Sequence, residues 1–363
     1  MSLLHATALT FIKGIGPISA KTLLAHFGSF EAVFAENSAV LAKIPRIGNL
    51  LADQKIKNEA LQRAEIELAF AEKNRIKVHL YTDKTYPFRL KECEDSPIVL
   101  YSLGADDLNS GHFLSVVGTR NVTAYGKEIC AKIISELAEN QKDTTIVSGL
   151  AYGTDACAHR AALNENLKTF AVVAHGLDTI YPSQHKSLAE KIIKSGGAII
   201  TEYPTKTVPE ASNFVQRNRI IAGMCDATLV VESAARGGAL LTASAANSYN
   251  RDVFAIAGRI GDTFSEGCNN LIKTNCAQMI TSAADIEQFM SWEKGEAKEQ
   301  LLFTELTDEE RKIVETLHST PMSANDLSRE MKIPVQKMVS TLILMEFKGL
   351  ITALPGNFYK VKI

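Results

Sequence analysis

Arg217 and Arg219 flank Asn218 in the run Asn213-Phe214-Val215-Gln216-Arg217-Asn218-Arg219, and an apolar helical stretch beginning Ile220-Ile221-Ala222 follows at once. Two guanidinium forks and an aromatic face in so short a span suit an extended polyanion with stackable rings, which is single-stranded nucleic acid. Two arginines near a helix start equally suit ion pairs with carboxylates on a solvated face, and the segment alone does not separate the two readings. A second anion-directed set is Gly118-Thr119-Arg120, placed between a strand and a helix containing Tyr125-Gly126-Lys127. It brings exposed N–H groups, a hydroxyl and a guanidinium together, whereas a purely structural turn needs the glycine but not the arginine. A third set runs from Glu232 to Thr242, where Gly237-Gly238 precede a helix start that contains Thr242 and let an anion or base approach the backbone. Glu232 there would orient a ring nitrogen or hydroxyl, or pair with Arg236 or Arg251. Asp155 and His159 lie four apart on one helical face after the loop Ser148-Gly149-Leu150-Ala151-Tyr152-Gly153. They read as an acid/base pair or as a capping aspartate and a structural histidine; the second is favoured because no nucleophile at a strained elbow accompanies them.

These loops need a scaffold that gathers them. The runs Phe113 to Val117, Thr145 to Val147, Thr169 to Val173, Ala198 to Ile200, Ala227 to Val231 and Val253 to Ile256 are continuously apolar instead of alternating, as strands buried on both faces are. Helical stretches separate them. The pattern predicts a doubly wound, Rossmann-like α/β fold with a parallel sheet, and in such a sheet the ligand crevice lies outside the carboxyl ends of the strands. The glycine-rich loops all follow strands, so they converge on that edge, together with Lys206, Arg236, Arg251 and Lys273. Neither G-x-x-x-x-G-K-[ST] nor G-x-G-x-x-G occurs, which removes the usual sequence support for P-loop hydrolysis and for ordinary dinucleotide binding.

The chain of 363 residues exceeds what one core holds. Residues 1–75 read as short helices with glycine turns at Gly14-Ile15-Gly16-Pro17 and Ile44-Pro45-Arg46-Ile47-Gly48, similar to a pair of helix-hairpin-helix units. Such a segment either touches phosphates or simply packs. Residues 76–292 carry the α/β pattern and 293–305 read as a polar linker. Residues 306–363 give a helix from Thr307, a second opening at Ser323, a third after Pro334 and a hairpin turning at Pro355-Gly356-Asn357, the order of a winged helix. Its third helix carries Lys337 as its one basic residue, which favours a protein-contact or regulatory role over reading a duplex.

Composition narrows the class. No stretch of about 18 uncharged apolar residues predicts a membrane span, and the first residues lack a signal-peptide pattern, so a cytoplasmic protein is expected. Six cysteines form no C-x-x-C pair, and no metal site or cofactor is expected; buried reduced thiols are the default. A net charge of −2 means that any affinity for nucleic acid has to be local.

Taken in series, the loops closely resemble the DNA-processing protein A (DprA, also Smf) family. The resemblance rests on Val117-Gly118-Thr119-Arg120 with Tyr125-Gly126, on Ser148 to Asp155 with Ala158-His159-Arg160-Ala161-Ala162-Leu163, and on Gly176-Leu177-Asp178 with Tyr181-Pro182. It continues through Thr201-Glu202-Tyr203-Pro204, Phe214 with Arg217 to Gly223, Val231-Glu232, Gly238 with Leu240 to Ala243, and Gly267 with Asn270-Leu271-Ile272. Val215, Thr119, Thr154, Gly237-Gly238-Ala239 and Ala257 depart from the commonest pattern without removing a charge or a ring. The resemblance implies a non-enzymatic protein that binds single-stranded DNA without sequence preference, dimerises through the α/β domain and helps load the RecA recombinase during uptake of transforming DNA. It implies contacts with the DNA backbone from Gly118, Thr119 and Arg120, with Phe214 on a base and Arg217 and Arg219 on phosphates, and the same crest is expected to add Gly149, Gly153, Asn218, Gly238, Thr242 and Arg251 to the DNA site. A rival is a nucleotide phosphoribohydrolase of the LOG type, whose P-G-G-x-G-T-x-x-E signature is matched by Arg236 to Ala245 without its proline or its glutamate.

Overall fold

The computed structural model describes residues 3–45, 47–292, 307–319, 322–348, 350–354 and 358–361, and these divide into two compact units, 1–290 and 291–363. The first unit opens with helices α1 (Leu3–Phe11), α2 (Pro17–Phe27), α3 (Phe30–Ala35), α4 (Ser38–Leu41), α5 (Gly48–Ala52) and α6 (Gln54–Lys73). Local chemistry sets their ends. Pro17 stands at the first position of α2 with a left-handed Gly28 after its last turn, and the Asp53 carboxylate accepts from the Lys55 amide at 2.8 Å to start α6.

The α/β part follows as β1 (Lys77–Leu80), α7 (Phe88–Lys91), β2 (Val99–Gly104), β3 (Phe113–Val117), α8 (Ala124–Asn140), β4 (Thr145–Ser148), α9 (Thr154–Asn164), β5 (Lys168–Val172), α10 (Lys186–Lys194), β6 (Ala198–Thr201), α11 (Ala211–Gly223), β7 (Ala227–Val230), α12 (Gly238–Ser248), β8 (Asp252–Ile256), α13 (Glu266–Lys273), β9 (Gln278–Ile280) and α14 (Ala283–Met290). The nine strands form one sheet in the order β1-β2-β6-β5-β4-β3-β7-β8-β9. All neighbours from β6 to β9 pair in parallel, and β2 runs antiparallel to both β1 and β6. The six apolar runs are therefore strands, as their composition predicts; β1, β2 and β9 are additional.

Period-two alternation places the two faces. In β5 and the residue after it, Phe170 and Val172 join a core with Ile220, Ile221 and Ala243 of α11 and α12, while Ala171 and Val173 join Leu188, Ala189 and Ile192 of α10. Burying each of the larger of these side chains contributes about 1.5–3 kcal/mol, so both faces are committed to helices and only the strand ends stay open. The chain winds from β3 out to β6 and then crosses through α11 to β7 on the other side of β3. The loops after β3 and β7 diverge there, which opens a crevice at the carboxyl edge, hereafter the crest.

The helical segment packs on the β1–β2 end of the sheet, where Leu9, Phe30, Leu51 and Ala64 share one core with Val99 and Tyr101. Packing is thus its observed role, and Arg46 of its second turn lies outside the described residues. In the second unit, helices Asp308–Ser319, Ala324–Met331 and Val335–Phe347 enclose Ile313, Leu317, Leu327, Met338 and Leu342 beside a three-stranded sheet of Met322–Ser323, Ile351–Leu354 and Phe358–Val361. This is the winged-helix order. Thr307 and Glu310 exchange capping hydrogen bonds, and the Ser323 hydroxyl accepts from the Asp326 amide at 3.2 Å. The hairpin turn at 355–357 and the linker at 293–305 lie outside the described residues.

Candidate nucleic-acid interface

The crest at the β3/β7 switch point holds a cavity of about 580 Å³. Thr119, Arg120, Phe214, Arg217 and Arg236 line it with the Gly237-Gly238 backbone, and Asp155 is the sole carboxylate among its lining residues. Three guanidiniums against one acid make the cavity cationic in a protein whose total charge is −2. The half-buried Phe214 ring has the Arg120 guanidinium 5.4 Å and the Arg217 guanidinium 5.8 Å from its centroid, and the half-exposed Tyr181 ring 5.7 Å away. An aromatic platform edged by cations is what a flat base with an adjoining phosphate requires.

Backbone close approach explains the glycines. A Cβ on Gly153, which has φ of +76°, would stand 2.3 Å from the Thr119 carbonyl oxygen, and one on Gly118 would stand 2.4 Å from Thr154 Oγ1. The two crest loops are therefore welded edge to edge, with the Thr154 amide donating to the Thr119 carbonyl at 3.1 Å and the Thr119 amide to the Glu232 carbonyl at 2.8 Å. Glu232 takes neither of the roles its position suggests. Its buried carboxylate accepts the Thr123 amide at 2.9 Å and the Thr123 hydroxyl at 2.5 Å, while that hydroxyl caps α8 by accepting from Gly126 at 3.0 Å. It clamps the β3–α8 loop to the end of β7.

Arg217 is 3 % exposed and works as a strut. It donates to the Gly149 carbonyl at 2.7 Å and to the Val172 carbonyl, and its Nε donates to Asn218 Oδ1 at 3.2 Å. Asn218 in turn donates to the Gly238 carbonyl at 3.2 Å, where Thr242 also donates from inside α12. Burial lowers the Arg217 pKa to about 10, with Asp155 opposing the shift, so the guanidinium stays charged at neutral pH. Asp155 is buried beside it, its pKa raised by that burial and held back by Arg217, and it accepts from the Ala151 amide at 3.2 Å. Gly149, Arg217, Asn218, Gly238 and Thr242 thus fix the cavity wall, so Arg217 is spent on carbonyls and is not free for the phosphate expected of it, while Thr119, Arg120 and Phe214 face the space.

His159 is no acid/base partner of Asp155. Its Nδ1 donates to Thr169 Oγ1 at 2.7 Å, because that hydroxyl spends its own proton on the Ile146 carbonyl at 2.8 Å. The ring is fully buried and its pKa falls to about 3 through desolvation. His175, which the sequence did not single out, shapes the rim. Its Nδ1 donates to the Gly176 carbonyl at 2.9 Å and its Nε2 accepts the Tyr181 amide at 3.1 Å, placing the ring that faces Phe214.

Comparison with known proteins gives the family. A model of the family described as DNA recombination-mediator protein A matches residues 77–291. The chain belongs to this family, DprA/Smf. A model of the DprA winged helix domain matches residues 298–357, and one of a SAM-like helix-hairpin-helix tandem matches 6–60. Protein Smf of Synechocystis is 38 % identical over 279 residues, 75 % of this chain and 68 % of its own. The DNA processing protein DprA of Streptococcus pneumoniae is 40 % identical over 204 residues, 56 % of this chain and 71 % of its own. The X-ray structure of DprA from S. pneumoniae superposes with a TM-score of 0.66 at 30 % identity, covering 79 % of this chain and 98 % of that one. DNA processing protein A from Helicobacter pylori, whose structure addresses a single-stranded DNA binding mode, gives 0.54 at 26 % identity, covering 61 % and 98 %.

Two residues expected on the DprA site stand elsewhere. Arg219 is not free for a phosphate: it is mostly buried, paired with Glu202 and donating to the Asp95 carbonyl, on the side of α11 facing away from the cavity. Arg251 precedes the first residue of β8, so it lies at the amino edge of the sheet, where it pairs with Glu92 at 2.5 Å and donates to the Arg89 carbonyl at 3.1 Å. Lys273, at the last turn of the crossover helix α13, belongs to that edge as well. Four cysteines are buried as expected, Cys157 is half-buried and Cys276 exposed. Among the described residues no helix is long and apolar enough to cross a membrane.

Proposed function

We propose that this protein binds single-stranded DNA without sequence preference at the crest, Arg120 and Arg236 taking phosphates, Phe214 stacking on a base and Arg217 holding the wall. The carrying observation is the cationic cavity at the switch point, with two guanidiniums 5.4 and 5.8 Å from the centroid of its Phe214 ring. The single-stranded DNA binding mode of the related H. pylori protein supports the same reading. In this proposal the protein acts in the cytoplasm as a homodimer joined through its α/β domain, protecting incoming DNA and helping to load RecA during transformation. It is not an enzyme. The cavity's one carboxylate, Asp155, is engaged by the Ala151 amide, and Glu232 is engaged by Thr123, so neither stands free as a general base. The phosphoribohydrolase alternative is supported only by the Gly237-Gly238 pair ahead of α12, and incubation with nucleoside monophosphates is expected to give no turnover.

The test is a titration of fluorescent oligo-dT across salt concentrations. Phe214→Ala is expected to weaken binding by about 1–3 kcal/mol at every salt concentration, since stacking is lost and charge is not. Arg120→Ala is expected to flatten the dependence of log affinity on log salt by about 0.7, the single-strand value for one phosphate contact. Two variants that fold, by circular dichroism, and bind like the unsubstituted chain would sink the proposal.

A further inference from the structure

Arg120 lines a second concavity of about 450 Å³ on the flank of the crest, between the opening turns of α8 and α9. Lys127 of α8 and Arg160 of α9 reach it, as do Tyr152, Cys157 and Gln184, and no carboxylate is among its lining residues. Arg120, Lys127 and Arg160 are all exposed, and none pairs with an acid among the described residues. The contrast with Arg89, Arg219 and Arg251, each neutralised by Asp226, Glu202 or Glu92, is chemical: those arginines tie the scaffold, and these three leave their charge to solvent. Both helices also present their amino-terminal halves to the groove, so the peptide dipoles add to its positive field. Tyr152 at the rim is about half-exposed, its hydroxyl donating to Gln184 Oε1 at 2.8 Å and its ring meeting His185 edge-on at 5.1 Å. The ring is held in place with surface left open.

We propose that a DNA strand held at the crest passes over Arg120 and continues into this groove, where Lys127 and Arg160 take its next phosphates and Tyr152 offers a face to a base. The groove is thus a second subsite for the same strand, and it rests on the crest reading above. Because Arg120 is common wall to both spaces, a phosphate there has one neighbour on each side of the loop.

Two fluorescent oligo-dT probes separate the subsites: one of about 5 nucleotides, filling the crest alone, and one of about 15, within the range a single fold accommodates. The variant Lys127→Ala/Arg160→Ala changes exposed helix positions to a good helix former, so the fold is retained. It is expected to bind the long probe roughly tenfold more weakly near 0.15 M salt, with the salt slope reduced by about 1.4, and to bind the short probe unchanged. Lys127→Arg/Arg160→Lys, which keeps both charges, is expected to match the unsubstituted protein. An unchanged slope on the long probe, or equal losses on both probes, overturns the groove. A failure of the crest reading shows differently, as a Phe214→Ala variant that binds the short probe normally.

Discussion

Arg217 and Arg219 stand two apart on α11 and end in opposite surroundings. Each helical residue turns the side chain by about 100°, so i and i+2 point nearly apart and cannot both face one ligand. Arg217 reaches the cavity wall; Arg219 reaches Glu202 across the helix. Burial raises the Glu202 pKa and Arg219 opposes that shift, so the pair is coupled by desolvation. Removing one partner leaves the other stranded. Arg219→Ala is expected to lower stability to urea by about 3–5 kcal/mol, and Arg219→Ala/Glu202→Gln by clearly less, because the second change removes the unpaired charge. The salt slope for oligo-dT is expected to stay the same in the folded fraction of either variant. Equal losses in both would reject the ion-pair account. The helical period was available in the sequence, since an apolar run follows the arginines directly; the partner acid at Glu202 was not, because it comes from another element.

At the scale of elements, the wall of the crest depends on a helix outside the sheet. Glu67 of α6 is buried and accepts from the Thr205 amide at 2.9 Å and the Thr205 hydroxyl at 2.6 Å, while Arg63 donates to the Thr205 carbonyl at 2.9 Å. Thr205 lies in the segment that leads into α11 and hence to Phe214. The amino-terminal helices therefore fix one side of the cavity through hydrogen bonds, independently of any contact of their own with DNA. Glu67→Leu leaves both the Thr205 amide and the Thr205 hydroxyl without their acceptor and is expected to weaken oligo-dT binding by about 1–2 kcal/mol with an unaltered salt slope. A changed slope would mean that a phosphate contact, not a loop position, was lost. The glycine turns and helical spacing of this segment were legible as short packed helices. Its hold on residue 205, more than 130 positions away, was not, because long-range hydrogen bonds leave no periodic trace.

At the scale of the molecule, the two compact units have separate cores, and the crest and its flanking groove are built wholly within residues 1–290. On the third helix of the winged unit the one basic side chain, Lys337, is paired with Glu309 at 2.7 Å, while Ile343 and Leu344 are exposed. That surface suits protein contact better than phosphate. A chain ending at Met290 is expected to keep its oligo-dT affinity and salt slope, read by the same titration, and a large loss would assign the winged unit a share of the DNA site.

Composition and order alone determined much of this protein. Continuous apolar runs marked the central strands because burial on both faces leaves no alternation, the glycine loops after them marked the crest, and the serial motifs marked the family. Tertiary structure decided which cations are free. Arg219 and Arg251 carry the same charge as Arg120 and Arg160, yet each meets a carboxylate brought from elsewhere in the chain, and the length of the strands separates Arg251 from the crest. Charge is written residue by residue, whereas its neutralisation depends on distance in space, which folding alone sets.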